Sequence, residues 1–282
     1  MNNTVFKKYN VVGDDICYHH TATEPSCDRY YHGPEAHLQY EVLYLLKGQV
    51  SYIIEGETYE VREGDMIFVA PNEIHTLKIE GSRPYERIVL LFNMSILHRL
   101  MRELEVSLGA FSEGEKNLFH IIGRGEVKEY GLDKILHSII MEDGDENRKK
   151  LSIISKLIKF VLTIDRVTQE SSHTAPLSSD TLVRAVTEYV DLHMGEPIRL
   201  DTLAEELYIS KSTLCHRFSD LMNMTVNKYV ITKKMYRAAE MLRDGYSAQA
   251  AAEAVGYDNY TSFFYNYKRV IGVSPTVTGK TD

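Results

Sequence analysis

The sequence predicts an α+β protein in two parts, a β-rich half with appended helices followed by an all-α half. Three observations carry this. Residues about 15–92 read as short apolar or β-branched runs punctuated by Gly48, Gly56 and Gly64, the pattern of a sandwich or barrel. From about residue 180 the periodicity is helical, in short pieces with clear stops. Between these regions lies Gln169 to Ser179, a polar, Ser-rich stretch containing Pro176. We therefore divide the chain into residues 1–169, a linker at 170–179, and residues 180–282.

A chain of 282 residues can bury two ordinary cores, and 44% hydrophobic with 26% charged residues is the composition of a globular protein. No apolar run approaches the roughly 18–20 residues of a membrane span, and residues 1–10 lack the apolar centre of a signal peptide. The odd set Cys17, Cys27 and Cys215 has no paired metal spacing, which points to a reducing compartment. We expect a cytoplasmic protein with no membrane partner. The net charge of −8 is unevenly spread: residues 1–179 carry 20 basic and 27 acidic side chains, whereas residues 208–282 carry 10 and 6. The basic excess sits at the C-terminal end, a weak footprint of a polyanion-binding surface.

In the first half, Leu43–Leu46, Val50–Ile54, Thr58–Val61, Met66–Val69 and Tyr85–Phe92 are the expected strands. Leu97, Leu100, Met101 and Leu104 then share a helical face. The strongest helix here runs from Asp145 to Val167. Its residues Ile153, Leu157, Phe160, Ile164 and Val167 follow coiled-coil spacing, and Leu151, Ile154, Ile158 and Val161 widen the stripe. Such a stripe serves either its own domain's core or a partner helix, and we expect a homodimer through it.

In the second half, Leu182, Ala185, Val186, Tyr189 and Val190 form one helix. Asp201 is expected to cap a short helix, Thr202–Leu207; after the turn at Tyr208-Ile209, Ser210 caps Lys211–Met222. Two short helices joined by a tight turn are a helix-turn-helix unit. Ala204 lets the helices cross closely, and Leu207, Ile209, Leu214 and Phe218 fill the wedge. The pattern recurs 48 residues on, where Ala252, Val255, Gly256 and Tyr257 repeat Ala204, Leu207, Tyr208 and Ile209. Asn259 or Asp258 caps a last helix holding Phe263, Tyr267 and Val270, and a long helix, Thr225–Arg243, joins the two units.

The run Leu203-Ala204, Ile209-Ser210, Leu214, Phe218, Tyr229, Ala238, Leu242, Val255-Gly256-Tyr257, Phe263, Tyr267-Lys268-Arg269, Gly272 and Ser274-Pro275 resembles the AraC/XylS family of transcription regulators over residues 180–276. The resemblance implies double-stranded DNA as a partner, contact with RNA polymerase, and no enzymatic activity or cofactor. It puts Ser210, Lys211, Ser212, Thr213, Cys215, His216 and Arg217 on the first recognition helix, where short polar side chains suit base edges and the helix N-terminus suits a phosphate. On the second, Asn259, Tyr260, Thr261, Phe264, Tyr265 and Lys268 take that place. Their aromatics either touch thymine methyls and phosphates or pack against the rest of the protein. The family pattern departs at Asn223, usually Gly, at Lys234, usually Arg, and at Ala248, usually Ile.

The first half resembles the cupin-type barrel that often precedes this reader, on Glu35-x-His37-x3-Glu41-x6-Gly48, Gly64-Asp65 and Pro71-x-Glu73-x-His75. Metal-binding cupins carry His where Glu35 stands. The residues Glu35, His37, Glu41 and His75 therefore read either as metal ligands or as polar contacts to an organic effector. We expect the second, with His37, Glu41 and His75 binding a sugar or another polar metabolite and no resident metal. The competing reading is a metal-dependent cupin enzyme with a DNA-binding tail.

Overall fold

The computed structural model describes residues 3–12, 16–24, 29–80, 84–111, 120–142, 144–170, 176 and 178–278. Cys27 and most of the Ser-rich linker lie outside them.

Two antiparallel sheets build the first half. One, in the order β1-β2-β9-β4-β7-β10, comprises β1 (Asn3–Val12), β2 (Ile16–Glu24), β4 (Tyr40–Lys47), β7 (Met66–Val69), β9 (Tyr85–Phe92) and β10 (Ile121–Ile122). The other, in the order β11-β6-β5-β8-β3, comprises β3 (Arg29–Glu35), β5 (Gln49–Ile54), β6 (Glu57–Arg62), β8 (His75–Glu80) and β11 (Ser178–Ser179). The expected barrel is a two-sheet sandwich, and among the described residues its hydrogen bonding does not close into a cylinder. The chain changes sheet between β7 and β8, turning at Pro71 and at Asn72, which takes a left-handed φ of 67°.

Strand β4 shows why its sequence reads as continuously apolar. Leu43 and Leu45 face the space between the sheets with Val50, Tyr52, Ile54 and Val89. Val42 and Tyr44 face the opposite way, toward a layer of helices. A strand covered on both faces has no polar side to alternate with. The covering helices are α1 (Ser95–Glu103), α2 (Arg124–Glu129), α3 (Leu132–Ile140) and α4 (Glu146–Glu170).

Helix α4 is the predicted stripe, and its five seam residues Ile153, Leu157, Phe160, Ile164 and Val167 are all buried in this domain's own core. The docked alternative holds for that seam. Leu151 and Leu162 stay on the outer side, 70% and 49% exposed. Ser178 and Ser179, expected to be linker, pair with Thr58 and Glu57 and extend the second sheet, because the edge of β6 offers unpaired backbone groups.

The second half comprises α5 (Thr181–Leu192), α6 (Leu200–Glu206), α7 (Lys211–Met222), α8 (Val226–Arg243), α9 (Ala248–Ala254), α10 (Tyr260–Ile271) and α11 (Pro275–Thr278). Helix α6 begins earlier than expected: Arg199 holds the cap position, and Asp201 lies in the first turn. Of the two candidates for the α10 cap, Asn259 takes it, its side chain accepting from the Ser262 N–H at 3.0 Å. Two cores result. Leu203, Ala204, Leu214, Phe218 and Tyr229 fill the first, and Ala238, Ala251, Ala252, Val255, Phe263 and Tyr267 the second.

Candidate effector site and nucleic-acid interface

Glu41 lies on β4 just inside the sandwich and is 8% exposed. A carboxylate cannot stay charged there without partners. His37, on the loop before β4, places Nε2 3.1 Å from Glu41 Oε2, while the Tyr52 hydroxyl donates to Glu41 Oε1 at 2.8 Å. His75, at the start of β8 and 1% exposed, puts its Nε2 3.9 Å from the same Oε2 and 3.7 Å from Glu35 Oε1. The His37 and His75 rings meet edge to face at 5.0 Å. Burial works to keep Glu41 protonated, yet the hydrogen bond from His37, the charges on both imidazoles and the Tyr52 hydroxyl outweigh it and hold its pKa at about 2. Burial likewise opposes a charge on His37, but Glu41 wins and raises that imidazole above its ordinary value.

The predicted trio thus converges on one point. Glu35 stands at its edge, its side chain 60% exposed. Motif spacing does not reach Tyr52. Its inward alternation with Val50 and Ile54 on β5 is the available signal, although alternation alone marks core rather than site.

On the reader, Lys211, Ser212, Thr213, His216 and Arg217 are exposed along one side of α7, and Cys215 is half-buried. Ser210 uses its hydroxyl to cap the helix, accepting from the Thr213 N–H at 3.0 Å and meeting Thr213 Oγ1 at 2.8 Å. Three charged members are paired within the chain: Lys211 with Asp201 at 2.9 Å, His216 with Asp220 at 2.9 Å, and Arg217 with Asp180 at 3.5 Å. On α10, Thr261, Tyr265 and Lys268 are exposed. Tyr260, expected on the outer face, packs in part against the second core, and Phe264 is half-buried. That expectation took the helix face from i, i+4 spacing alone. Tyr260 opens the helix, and its ring meets Phe263 at 5.8 Å. The exposed face also includes Ser262 and Arg269, which the i, i+4 spacing of Tyr260, Phe264 and Lys268 does not single out.

Two family profiles match the chain, the AraC-like ligand binding domain over residues 19–148 and a helix-turn-helix domain over residues 203–281. The chain belongs to the AraC family of transcription regulators. It is similar to the HTH-type transcriptional regulator YbfI of Bacillus subtilis, 25% identical over 79% of this chain and 78% of that one. The Msm operon regulatory protein of Streptococcus mutans is 21% identical over 96% of this chain and 95% of that protein. Among solved structures, an apo ToxT variant of Vibrio cholerae aligns over 96% of this chain and 98% of its own at 12% identity, with a TM-score of 0.41. No helix among the described residues is long and apolar enough to cross a membrane.

In this AraC-type regulator the ligand-binding half docks directly on the reader. Glu55, at the β5–β6 turn, accepts from the Ile74 N–H at 2.8 Å, from Lys233 Nζ at 3.0 Å and from the Tyr229 hydroxyl. Burial opposes the Lys233 charge, but Glu55 and Asp191 prevail and raise its pKa. Lys233 also donates to the Asn72 carbonyl at 3.2 Å, and Tyr236 donates to the Ala36 carbonyl. Gly56 allows the approach: with φ of 84°, a Cβ there would sit 2.1 Å from Val183 Cγ1 on α5. None of these contacts is legible in sequence, because Lys233 and Tyr236 look like ordinary polar positions of an amphipathic helix.

Proposed function

We propose that the chain is a one-component transcription regulator in which a small polar molecule, such as a sugar, binds at His37, Glu41 and His75. Binding there changes how the ligand-binding half sits on the reader. One observation carries this. Ala36 and Leu38 flank His37, Ile74 precedes His75, and all three pack into the two cores of the reader. A ligand that repositions either imidazole therefore pulls on the interdomain contact. It shifts the equilibrium between docked and undocked forms to the extent that it favours one of them.

The domains follow residues 1–169 and 180–282. Helix α7 enters the major groove with Ser212, Cys215, His216 and Arg217 toward base edges and Lys211 on a phosphate. Helix α10 follows roughly 34 Å along in the next groove, gripping through Thr261, Tyr265 and Lys268. Dimerisation uses the outer side of α4 at Leu151, Ile158 and Leu162, and RNA polymerase is a further partner. The protein acts by binding, without catalysis.

A thermal-shift screen against mono- and disaccharides, run on the full chain and on His37→Ala and Glu41→Gln, tests the sensor. The expected result is a stabilising sugar whose effect disappears in both variants. A sugar shift that survives both refutes the assigned site. For the reader, Ser212→Ala and His216→Ala should relax sequence preference, whereas Lys211→Ala should weaken binding to every sequence and lower the salt slope by about one. Footprints indifferent to all three would remove α7 from the base-reading role.

A further inference from the structure

We infer that the effector is a hydroxylated carboxylate monoanion rather than a neutral sugar, and that Arg87, inside the sandwich, is the residue that takes its charge. This assignment rests on reading the sandwich as the effector site, and it names the class of ligand that site accepts.

Strand register brings the groups together. On β9, Ile88 and Leu90 face the helix layer, while Tyr85 and Val89 belong to the core between the sheets. Arg87 alternates with the second pair and therefore points between the sheets. Thr21 of β2 and Leu45 of β4 are its cross-strand partners, and Leu45 lies in the same core. Tyr18 of β2 faces the helices, so His19 and Thr21 face inward beside Arg87. Further along that face stands Glu41, held from the opposite sheet by the Tyr52 hydroxyl at 2.8 Å.

Several polar atoms of this interior have no partner within the chain. Thr21 is 1% exposed and Tyr85 fully buried. Thr21 Oγ1, the Tyr85 hydroxyl, Arg87 Nη1 and His75 Nε2 are all buried without a hydrogen bond. Buried polar atoms are hydrogen-bonded in the great majority of cases, so a cluster of exceptions around one interior calls for a polar partner from outside the chain. The Arg87 guanidinium carbon lies 4.6 Å from the centre of the Tyr85 ring. That contact offsets part of the charge, but the ring offers the N–H donors no oxygen. Among the described residues no carboxylate pairs with Arg87.

The charges fix the sign of that partner. Against the cost of burial, His37 and Tyr52 keep Glu41 ionised, and Glu41 in turn raises the His37 pKa, so those two charges balance. Burial, and after it the Arg87 charge, lower the His19 pKa, so His19 adds no positive charge at neutral pH. A guanidinium keeps its proton, and Arg87 is left as an uncompensated cation. A buried charge without a counter-charge is costly. One carboxylate cancels it and accepts two parallel N–H bonds from the guanidinium fork. A phosphate ester, with roughly 1.5–2 negative charges, overshoots. The hydroxyls of Thr21 and Tyr85 and the His75 ring nitrogen then suit the hydroxyl groups of the same ligand.

The test uses the full chain at fixed ionic strength, followed by thermal shift and titration calorimetry. Gluconate is compared with glucose, galacturonate with galactose, and acetate with equal chloride as a probe of the Arg87 end alone. Gluconate or galacturonate should bind at least about tenfold more tightly than its neutral counterpart, and acetate should stabilise where chloride does not. Arg87→Gln should erase both preferences, Arg87→Lys should retain part of them, and Tyr85→Phe should weaken acid binding about fivefold. Without added ligand, Arg87→Met removes an uncompensated charge and should raise the melting temperature. A lower melting temperature would mean that the fold already satisfies Arg87, and it overturns the inference. So does interior water only, seen as acids and acetate that shift the protein no more than chloride. Glucose 6-phosphate binding more tightly than gluconate would assign the site to a phosphate and refute the carboxylate. A neutral sugar bound through His37 and Glu41 with no preference for its acid sinks this inference and leaves the sensor reading standing. Acid binding lost in Arg87→Gln yet untouched by His37→Ala and Glu41→Gln does the reverse.

Discussion

The two helix-turn-helix units share one design and are supported differently. Both turns place a residue in the left-handed region, Tyr208 at φ 54° and Gly256 at φ 73°, and both recognition helices start at a side-chain cap, Ser210 and Asn259. Both recognition helices also end in a left-handed residue, Asn223 and Gly272. Yet the core of the first unit is built from Leu203, Leu214, Phe218 and Tyr229 and takes in Ile74 from the ligand-binding half. The core of the second relies on Ala238, Ala239, Ala251 and Ala252 around Phe263 and Tyr267 and takes in Leu38 from that half, beside polar contacts from Asn72 to Glu240 and from Arg243 to Asn93. The repeat in the chain thus hides a difference in packing: the first core takes in Ile74 and Ala36 of the sensor, the second takes in Leu38. The outer face of the first unit holds Lys211, His216 and Arg217 in ion pairs with Asp201, Asp220 and Asp180, and under the proposed interface DNA would compete with these carboxylates.

The largest expected effect separates the two cores. Phe218→Ala and Phe263→Ala should each cost about 3–5 kcal/mol in the unit concerned. Hydrogen exchange should show that only Phe218→Ala also exposes the amides of Glu55 and Ile74 at the domain contact. Equal exposure in both variants would abolish the asymmetry.

The turns come next. In the second unit, a Cβ on Gly256 would lie 2.8 Å from the Glu196 backbone, so Gly256→Ala combines a strained φ with an overlap. It should lower stability by about 2–3 kcal/mol, read from thermal unfolding. Tyr208 occupies the same turn position while 95% exposed, so Tyr208→Gly should instead stabilise by up to about 1 kcal/mol.

Lys234 ties the units together. Its ammonium donates to the carbonyls of Glu196, before α6, and Val255, at the end of α9, at 2.5 and 2.7 Å. Lys234→Met leaves both carbonyls without a donor and should cost about 1–3 kcal/mol. Burial depresses the Lys234 pKa from 10.5 to about 8. The unfolded chain therefore holds that proton where the folded chain has lost it, and stability should rise with pH from about 8 toward 10.5. The rise should vanish in Lys234→Met; its persistence there would assign the pH dependence to another group. The smallest effect expected is on DNA. Asp201→Asn, which frees Lys211 from its ion pair, should tighten binding to all sequences by a few-fold at low salt and hardly at all at high salt.

Much was determined by the sequence alone. Helical and strand periodicity, the turn glycines and the caps at Ser210 and Asn259 are local signals, and they located β4–β7 and β9, the paired units and the joining helix, but singled out none of β1, β2, β3 and β8. The motif spacing brought His37, Glu41 and His75 forward together, and the fold does converge them. Tertiary structure alone decided the rest. Whether the seam of α4 faced a partner or its own sheet depended on which surface lay opposite, and Ile153 to Val167 turned inward. Whether Tyr260 faced DNA or core depended on the placement of Phe263. The docking of Glu55 on Tyr229 and Lys233, and the inward aim of both imidazole Nε2 atoms, arise between segments far apart in the chain. Their partners are chosen by packing and by buried hydrogen bonds, which no periodicity within one segment records.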